Sequence, residues 1–227
     1  MPIIPMFPPS IRTLGRPAYR SLNAALSKIR AIQSRRIPQV ELQARHIANL
    51  RVVVDRAAFL EAMPKQGVVA ELGVNRGDFS AQILEITRSR KLHLVDVWDT
   101  ERYHEGLERL VRDRFRNEIA DGIVEIDRGL STEVLPRYPE GHFDWVYIDT
   151  DHSYRTTAAE LELARRVVKP GGIIAGHDYV TGNWDGGVRY GVVEAVHEFC
   201  VRHDWELRLL THETNRHLSF AIRAIGA

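Results

Sequence analysis

The sequence predicts a doubly wound α/β fold, a mainly parallel sheet with helices on both faces. Two observations carry this. From Gly67 onward, short apolar runs that read as buried strands alternate with stretches of helical periodicity, the rhythm of strand–helix–strand units. The first such run passes into a glycine-bearing loop, Glu71-Leu-Gly73-Val-Asn75-Arg-Gly77, which leads directly into a helix. In open parallel sheets ligands bind beyond the carboxyl ends of the strands, so a loop of this kind is where chemistry is expected.

Taken in order, the chain opens with a proline-rich stretch to about Gly15 that reads as extended. Leu22, Leu26, Ile29 and Ile32 then suit an amphipathic helix from Tyr19 to about Arg36, with Arg30, Arg35 and Arg36 solvated. Pro38 breaks it, and a second helical pattern runs from about Val40 to Leu60. Residues 1–60 are thus expected to form an N-terminal helical appendage on a main domain of residues 61–227. Within that domain the predicted strands are Val68–Leu72, Leu92–Asp96, Ile123–Ile126, Phe143–Ile148 and Gly172–Ala175. Helices are predicted at Asp78–Thr87, Glu105–Ile119, Thr157–Val168 and Val192–Val201. Strands at Glu206–Leu210 and Leu218–Ile222 close the chain with no helix between them, which suggests an antiparallel edge hairpin.

Composition narrows the function classes. With 44% hydrophobic and 27% charged residues the chain is ordinary globular material. A formal charge of +1 gives no global pull toward nucleic acid or an anionic membrane. The lone Cys200 cannot form an internal disulfide; it sits at a position expected to be buried in a helix and fits a reducing cytoplasm. No apolar run approaches the roughly 20 residues a membrane span requires, and the prolines near the N-terminus argue against a signal-peptide core. A cytoplasmic location, a small-molecule partner and self-association through the N-terminal helices are the corresponding expectations.

Gly73 and Gly77 allow backbone to approach a ligand closely, and the helix that follows presents free N–H groups. The spacing G-x-x-x-G matches neither the dinucleotide fingerprint nor a phosphate-binding loop for nucleoside triphosphates. Asp96 ends the second strand 25 positions after Glu71, where a carboxylate can accept both hydroxyls of a ribose. After the third strand, Ser131 is placed to flank an adenine, with Asp127 a weaker candidate. The fourth strand runs into Asp149-Thr-Asp151-His152-Ser-Tyr154 and the fifth into His177-Asp178-Tyr179. Carboxylates and imidazoles crowded at one sheet edge require a cation or a shared proton, and mixed oxygen and nitrogen ligands suit Mg²⁺, Mn²⁺ or similar ions. The glycines of Thr181–Tyr190 suggest a mobile loop over a substrate, with Trp184 or Tyr190 as a stacking wall.

On these residues the stretch from Val69 to Tyr179 resembles the class I S-adenosylmethionine (SAM)-dependent methyltransferases. It is most similar to the group containing the macrocin-type sugar O-methyltransferases and related bacterial proteins. The resemblance rests on Ala70 to Gly77, Val95-Asp96, Tyr147 to Tyr154 and Lys169 to Tyr179. It implies a Rossmann-like, seven-stranded sheet with its last strand antiparallel. It implies that Glu71, Gly73 and Gly77 cradle the methionine part of the cofactor and Asp96 the ribose; Asn75, Ser80, Ser131 and Asp149 join the cofactor-binding set. Metal-dependent members would place Mg²⁺ on Asp149, His177 and Asp178. Histidine at the second position departs from the carboxylate pattern and favours a softer ion or none. His152 is the expected general base, because imidazole titrates near neutrality, with Asp151 its competitor. The expected reaction is O-methylation of a small molecule such as a sugar or natural product. A metal-dependent hydrolase built on the Asp/His cluster, and a non-catalytic nucleoside-binding module, are the alternatives.

Overall fold

The computed structural model describes residues 16–35, 37–100, 104–183, 188–213 and 217–227. The chain divides into two compact units, residues 1–38 and residues 39–227. The described part of the first is a helix, α1 (Arg16–Ser34). The proline-rich start, Arg36 and Trp184 lie outside the described residues.

The second unit holds an eight-stranded sheet in the order β1-β9-β10-β6-β5-β2-β3-β4. Its strands are β1 (Arg51–Val53), β2 (Val68–Leu72), β3 (Lys91–Asp96), β4 (Val124–Arg128), β5 (Phe143–Ile148), β6 (Val168–Gly176), β9 (Trp205–Thr211) and β10 (Phe220–Ala224). A separate two-stranded ribbon pairs β7 (Gly182–Asn183) with β8 (Val188–Arg189). The helices are α2 (Arg56–Ala62), α3 (Asp78–Thr87), α4 (Glu105–Arg114), α5 (Arg116–Ala120), α6 (Ser131–Val134), α7 (Tyr154–Val167) and α8 (Val192–His203).

Strands β2 to β6 pair in parallel, as a sheet wound through crossover helices must. β10 is the antiparallel member, inserted between β6 and β9. The sheet is therefore the expected seven strands plus one. The extra strand, β1, pairs parallel with β9, so the closing strands are not a free edge.

That extra strand corrects the reading of residues 40–60. In place of one helix there is a short 3₁₀ turn at Ala44–His46, then β1, then α2. The compact unit accordingly begins at Gln39, not after residue 60. The single helix expected over Glu105–Ile119 is broken at Phe115, whose φ of −105° and ψ of 26° leave the helical range.

Alternation along the strands sorts the core onto two faces. Val146 and Ile148 of β5 face the layer containing Leu161 and Ala164 of α7 and Val196 and Phe199 of α8. Trp145 and Tyr147 face the other layer, with Phe59 and Leu60 of α2 and Phe79 and Ile83 of α3. Cys200 is buried in α8, as its apolar-periodic setting predicts.

Candidate functional site

A cavity of about 810 Å³ opens beyond the carboxyl ends of β2, β3, β5 and the start of β4's following turn, and it is lined by the loops the sequence singles out. Its floor is the turn from β2 into α3. Gly73 has φ of +87°, and a Cβ there would lie 2.0 Å from the Asp149 carbonyl oxygen, so only glycine fits where the β2 and β5 ends cross. Gly77, at φ of +76°, caps α3 but does not itself line the cavity.

Asp96 has a structural task besides facing the cavity. Its Oδ2 accepts the Val74 and Asn75 amides at 2.8 and 2.9 Å, holding the glycine loop against the end of β3. Glu71 is buried on the cavity wall and accepts a hydrogen bond from Ser80 Oγ. Burial pushes its carboxyl up to about 8, against the pull of Ser80 and of Arg56. Ser80 is fully enclosed behind Glu71, so its contact with the cavity is indirect, through that carboxyl. Asn75, Ser131 and Asp149 line the cavity. The Ser131 hydroxyl, however, donates to Glu160. Asp127 does not line it; its carboxylate accepts from Tyr138 at 2.7 Å and meets His93 Nδ1 at 3.2 Å.

Beside the cavity wall the β5 and β6 ends converge as expected. His152 Nε2 lies 3.2 Å from Asp178 Oδ2. His177 Nδ1 lies 3.6 Å from both Asp149 Oδ2 and Asp178 Oδ2. His217, from the β9–β10 connection, also bonds Asp178 through Nδ1. Burial opposes charge on His177, but the two adjoining carboxylates outweigh it and push its pKa up to about 9. Burial likewise opposes charge on Asp178, yet the surrounding imidazoles hold its carboxyl well below the usual range. His152 and Asp178 both adopt positive φ, at 60° and 55°, a conformation uncommon outside glycine that clusters at functional sites. The His152 carbonyl accepts the Gly191 amide at 2.9 Å, and the Tyr190 ring lies 4.8 Å from the His152 ring.

Asp149, His152 and Asp178 each offer one ligand atom, all within 4.8 Å of one another, so His152 replaces His177 in the set that geometry could place around an ion. The charges argue against a dication. Arg56 Nη2 stands 3.6 Å from Asp149 Oδ2, and His177 Nδ1 faces the same oxygen at 3.6 Å. Asp178 is already taken up by three imidazoles. A divalent ion would have to overcome that positive charge and strip those partners. The residues expected to ligate metal therefore fit a carboxylate–imidazolium network better than a resident ion.

Asp151 lines the cavity wall, but its carboxylate is engaged in capping. It accepts from the Ser153 amide at 2.9 Å and from Thr156 Oγ1 at 2.8 Å, at the start of α7. Two residues escaped sequence reasoning. Arg56 at the start of α2 lies on the cavity wall, and Glu160 of α7 stands behind it, accepting from Ser131 and, at 2.9 Å, from Thr150. Glu160 lies inside a helix, and Arg56 follows β1, a strand the sequence pattern does not reveal, so position in the chain gives no signal for them.

Comparison with known proteins agrees with this geometry. Residues 70–179 match the family model described as a methyltransferase domain. No curated protein matches the sequence. Among solved structures, a SAM-dependent methyltransferase from Aquifex aeolicus superposes with a TM-score of 0.56 at 14% identity, over 75% of this chain and 88% of that one. An O-methyltransferase family protein from Burkholderia thailandensis gives 0.54 at 13% identity, over 74% of this chain and 55% of that one. The pyocyanin biosynthetic protein PhzM gives 0.55 at 13%, over 70% and 51%. This chain thus spans only about half the length of the last two, and at such identities the likeness is one of fold.

Proposed function

We propose that this chain, a SAM-dependent methyltransferase of class I fold with its methyltransferase domain at residues 70–179, methylates a hydroxyl group of a small molecule such as a sugar or natural product. The observation that carries the proposal is His152 on the cavity wall, with its Nε2 3.2 Å from the buried Asp178. The sulfonium of the bound cofactor supplies an already activated methyl group, so the protein's tasks are alignment and removal of one proton.

The chain's residues divide these tasks. Gly73 lets the cofactor lie against the backbone of the β2 turn, and the buried carboxyl of Glu71 suits the cofactor's ammonium group. Asp96, already fixed by the loop amides through Oδ2, offers Oδ1 to the ribose. With Nε2 3.2 Å from Asp178 Oδ2, a proton on His152 is favoured at Nε2, which would leave the Nδ1 lone pair to accept the proton of an attacking hydroxyl. Asp178 is in turn held by His177 and His217, which fix its orientation and offset its charge. Tyr190 walls one side of the His152 ring. A net charge of +1 supports a small-molecule acceptor over a polyanionic one. Nothing in the comparisons favours the hydrolase or the non-catalytic module.

The test is single-turnover methyl transfer to a panel of hydroxylated acceptors, alongside calorimetric binding of SAM and its demethylated product. His152→Ala should slow transfer by about 10²–10⁴-fold, the usual cost of losing a general base, with cofactor affinity nearly intact. Asp151→Asn should do much less, because that carboxylate is spent on capping. Unchanged rates for His152→Ala, with loss in Asp151→Asn, would reverse the assignment. Transfer confined to nitrogen or carbon acceptors would refute O-methylation.

A further inference from the structure

The acids of the cavity leave one part of the cofactor without a partner. SAM carries two positive groups, the sulfonium and the α-ammonium, and one negative group, the α-carboxylate. Asp96 and Asp149 on the wall suit the positive groups. A carboxylate placed among them would be repelled unless a cation met it there.

Arg56 is built for that place. It is the first residue of α2, with Asp55 capping the helix through the Ala58 amide at 2.8 Å. Its guanidinium carbon lies over the Phe79 ring, 3.8 Å from the centroid, and Phe79 is itself the second residue of α3 beyond the glycine loop. Nη2 donates to Tyr147 Oη at 3.0 Å, and that hydroxyl is braced in turn by Ser219 at 2.9 Å. The cation–π contact and one hydrogen bond therefore hold the group on the cavity wall. Among the described residues Nε is buried without a hydrogen-bond partner, and Nη2 stands 3.6 Å from Asp149 Oδ2, beyond hydrogen-bond length. A cation held so firmly with its donors underused is poised for an anion from outside the chain, and a planar guanidinium matches a carboxylate in geometry.

We infer that Arg56 binds the α-carboxylate of the cofactor's methionine part and so selects SAM over forms that lack this group. The inference rests on the cofactor reading above and deepens it. Arg76 and Arg155 also line the cavity, but both are exposed and neither is stacked or braced in this way.

The probes are SAM and decarboxylated S-adenosylmethionine, titrated calorimetrically into the intact protein and its Arg56→Met, Arg56→Lys and Arg76→Met variants, each checked for its melting transition. The wild type should prefer SAM by roughly 10- to 100-fold, the range of a charged hydrogen bond. Arg56→Met should lose that preference by weakening SAM alone, and Arg56→Lys should keep part of it. The inference is overturned if Arg56→Met weakens both ligands equally, which is the mark of a merely structural role. It is also overturned if the preference survives in Arg56→Met or disappears only in Arg76→Met. Failure of the wild type to bind either ligand would instead bring down the cofactor reading, which keeps the two results distinct.

Discussion

Glu160 is fully enclosed behind the cavity wall, with Ser131 and Thr150 donating to its carboxyl. Burial raises its pKa to about 7, the two hydrogen bonds pulling the other way. The folded state therefore holds this proton more tightly than the unfolded chain does. The stability that this contributes is fully present below the unfolded value near 4.5 and is lost as pH rises through about 7. The melting temperature should fall between pH 5 and pH 8 by roughly 6–12 °C from this group, since two or more pKa units amount to about 3 kcal/mol. Glu160→Gln keeps a neutral acceptor for both hydroxyls and should flatten that fall in thermal melts. Some slope will remain, because Glu71 is shifted in the same direction. An undiminished slope in Glu160→Gln would mean that Glu160 is ionised in the folded protein. Residues of this kind mark a boundary of sequence reading. Glu71, Asp96 and Asp149 could be found because each lies at or beside the carboxyl end of a strand. Ser80 and Ser131 were found as members of loops, but where a hydroxyl points depends on Glu71 and Glu160, which only packing brings up to them.

Between residue and molecule, the crossing of the β2 and β5 ends is the tightest constraint on the site. Gly73 and Gly122 share positive φ, at +87° and +72°, but a Cβ on Gly122 would meet nothing within 4 Å. Comparing the two separates backbone strain from overlap. Gly122→Ala should cost about 1 kcal/mol. Gly73→Ala adds a clash with the Asp149 carbonyl and should cost at least about 3 kcal/mol, with loss of cofactor binding. Urea denaturation of both variants measures the difference; equal midpoints would show that the β5 end yields easily. At this scale the strands with strong apolar runs were legible, and β1 was not. Three residues, Arg51–Val53, carry too little periodicity to distinguish a strand from a helical turn. Their pairing is decided by Leu209–Thr211 at the far end of the chain. The break at Phe115 is likewise invisible in a pattern that stays amphipathic on both sides of it.

For the molecule as a whole, the compact unit begins at Gln39. A chain of residues 39–227 should fold cooperatively, with a melting temperature within about 3 °C of the full chain and the same affinity for SAM. A chain starting at Asp55 lacks β1, leaves the β9 edge unpaired and should melt clearly lower. If the chain starting at Gln39 failed to fold, the division into two units would not be one of stability. No described helix is long and apolar enough to cross a membrane.

The sequence by itself determined the class of the fold, the parallel order of construction and the strand-end loops that form the cavity. Strand–helix alternation and the glycine spacing are local, and local patterns survive in one dimension. The tertiary structure alone decided the eighth strand, the place of Arg56 on the cavity wall and the replacement of His177 by His152 in the cluster that could face an ion. It also decided the balance of charge among Asp149, Asp178, His177 and Arg56. Those outcomes depend on distances of a few ångströms between residues far apart in the chain, and electrostatic energy varies steeply over that range.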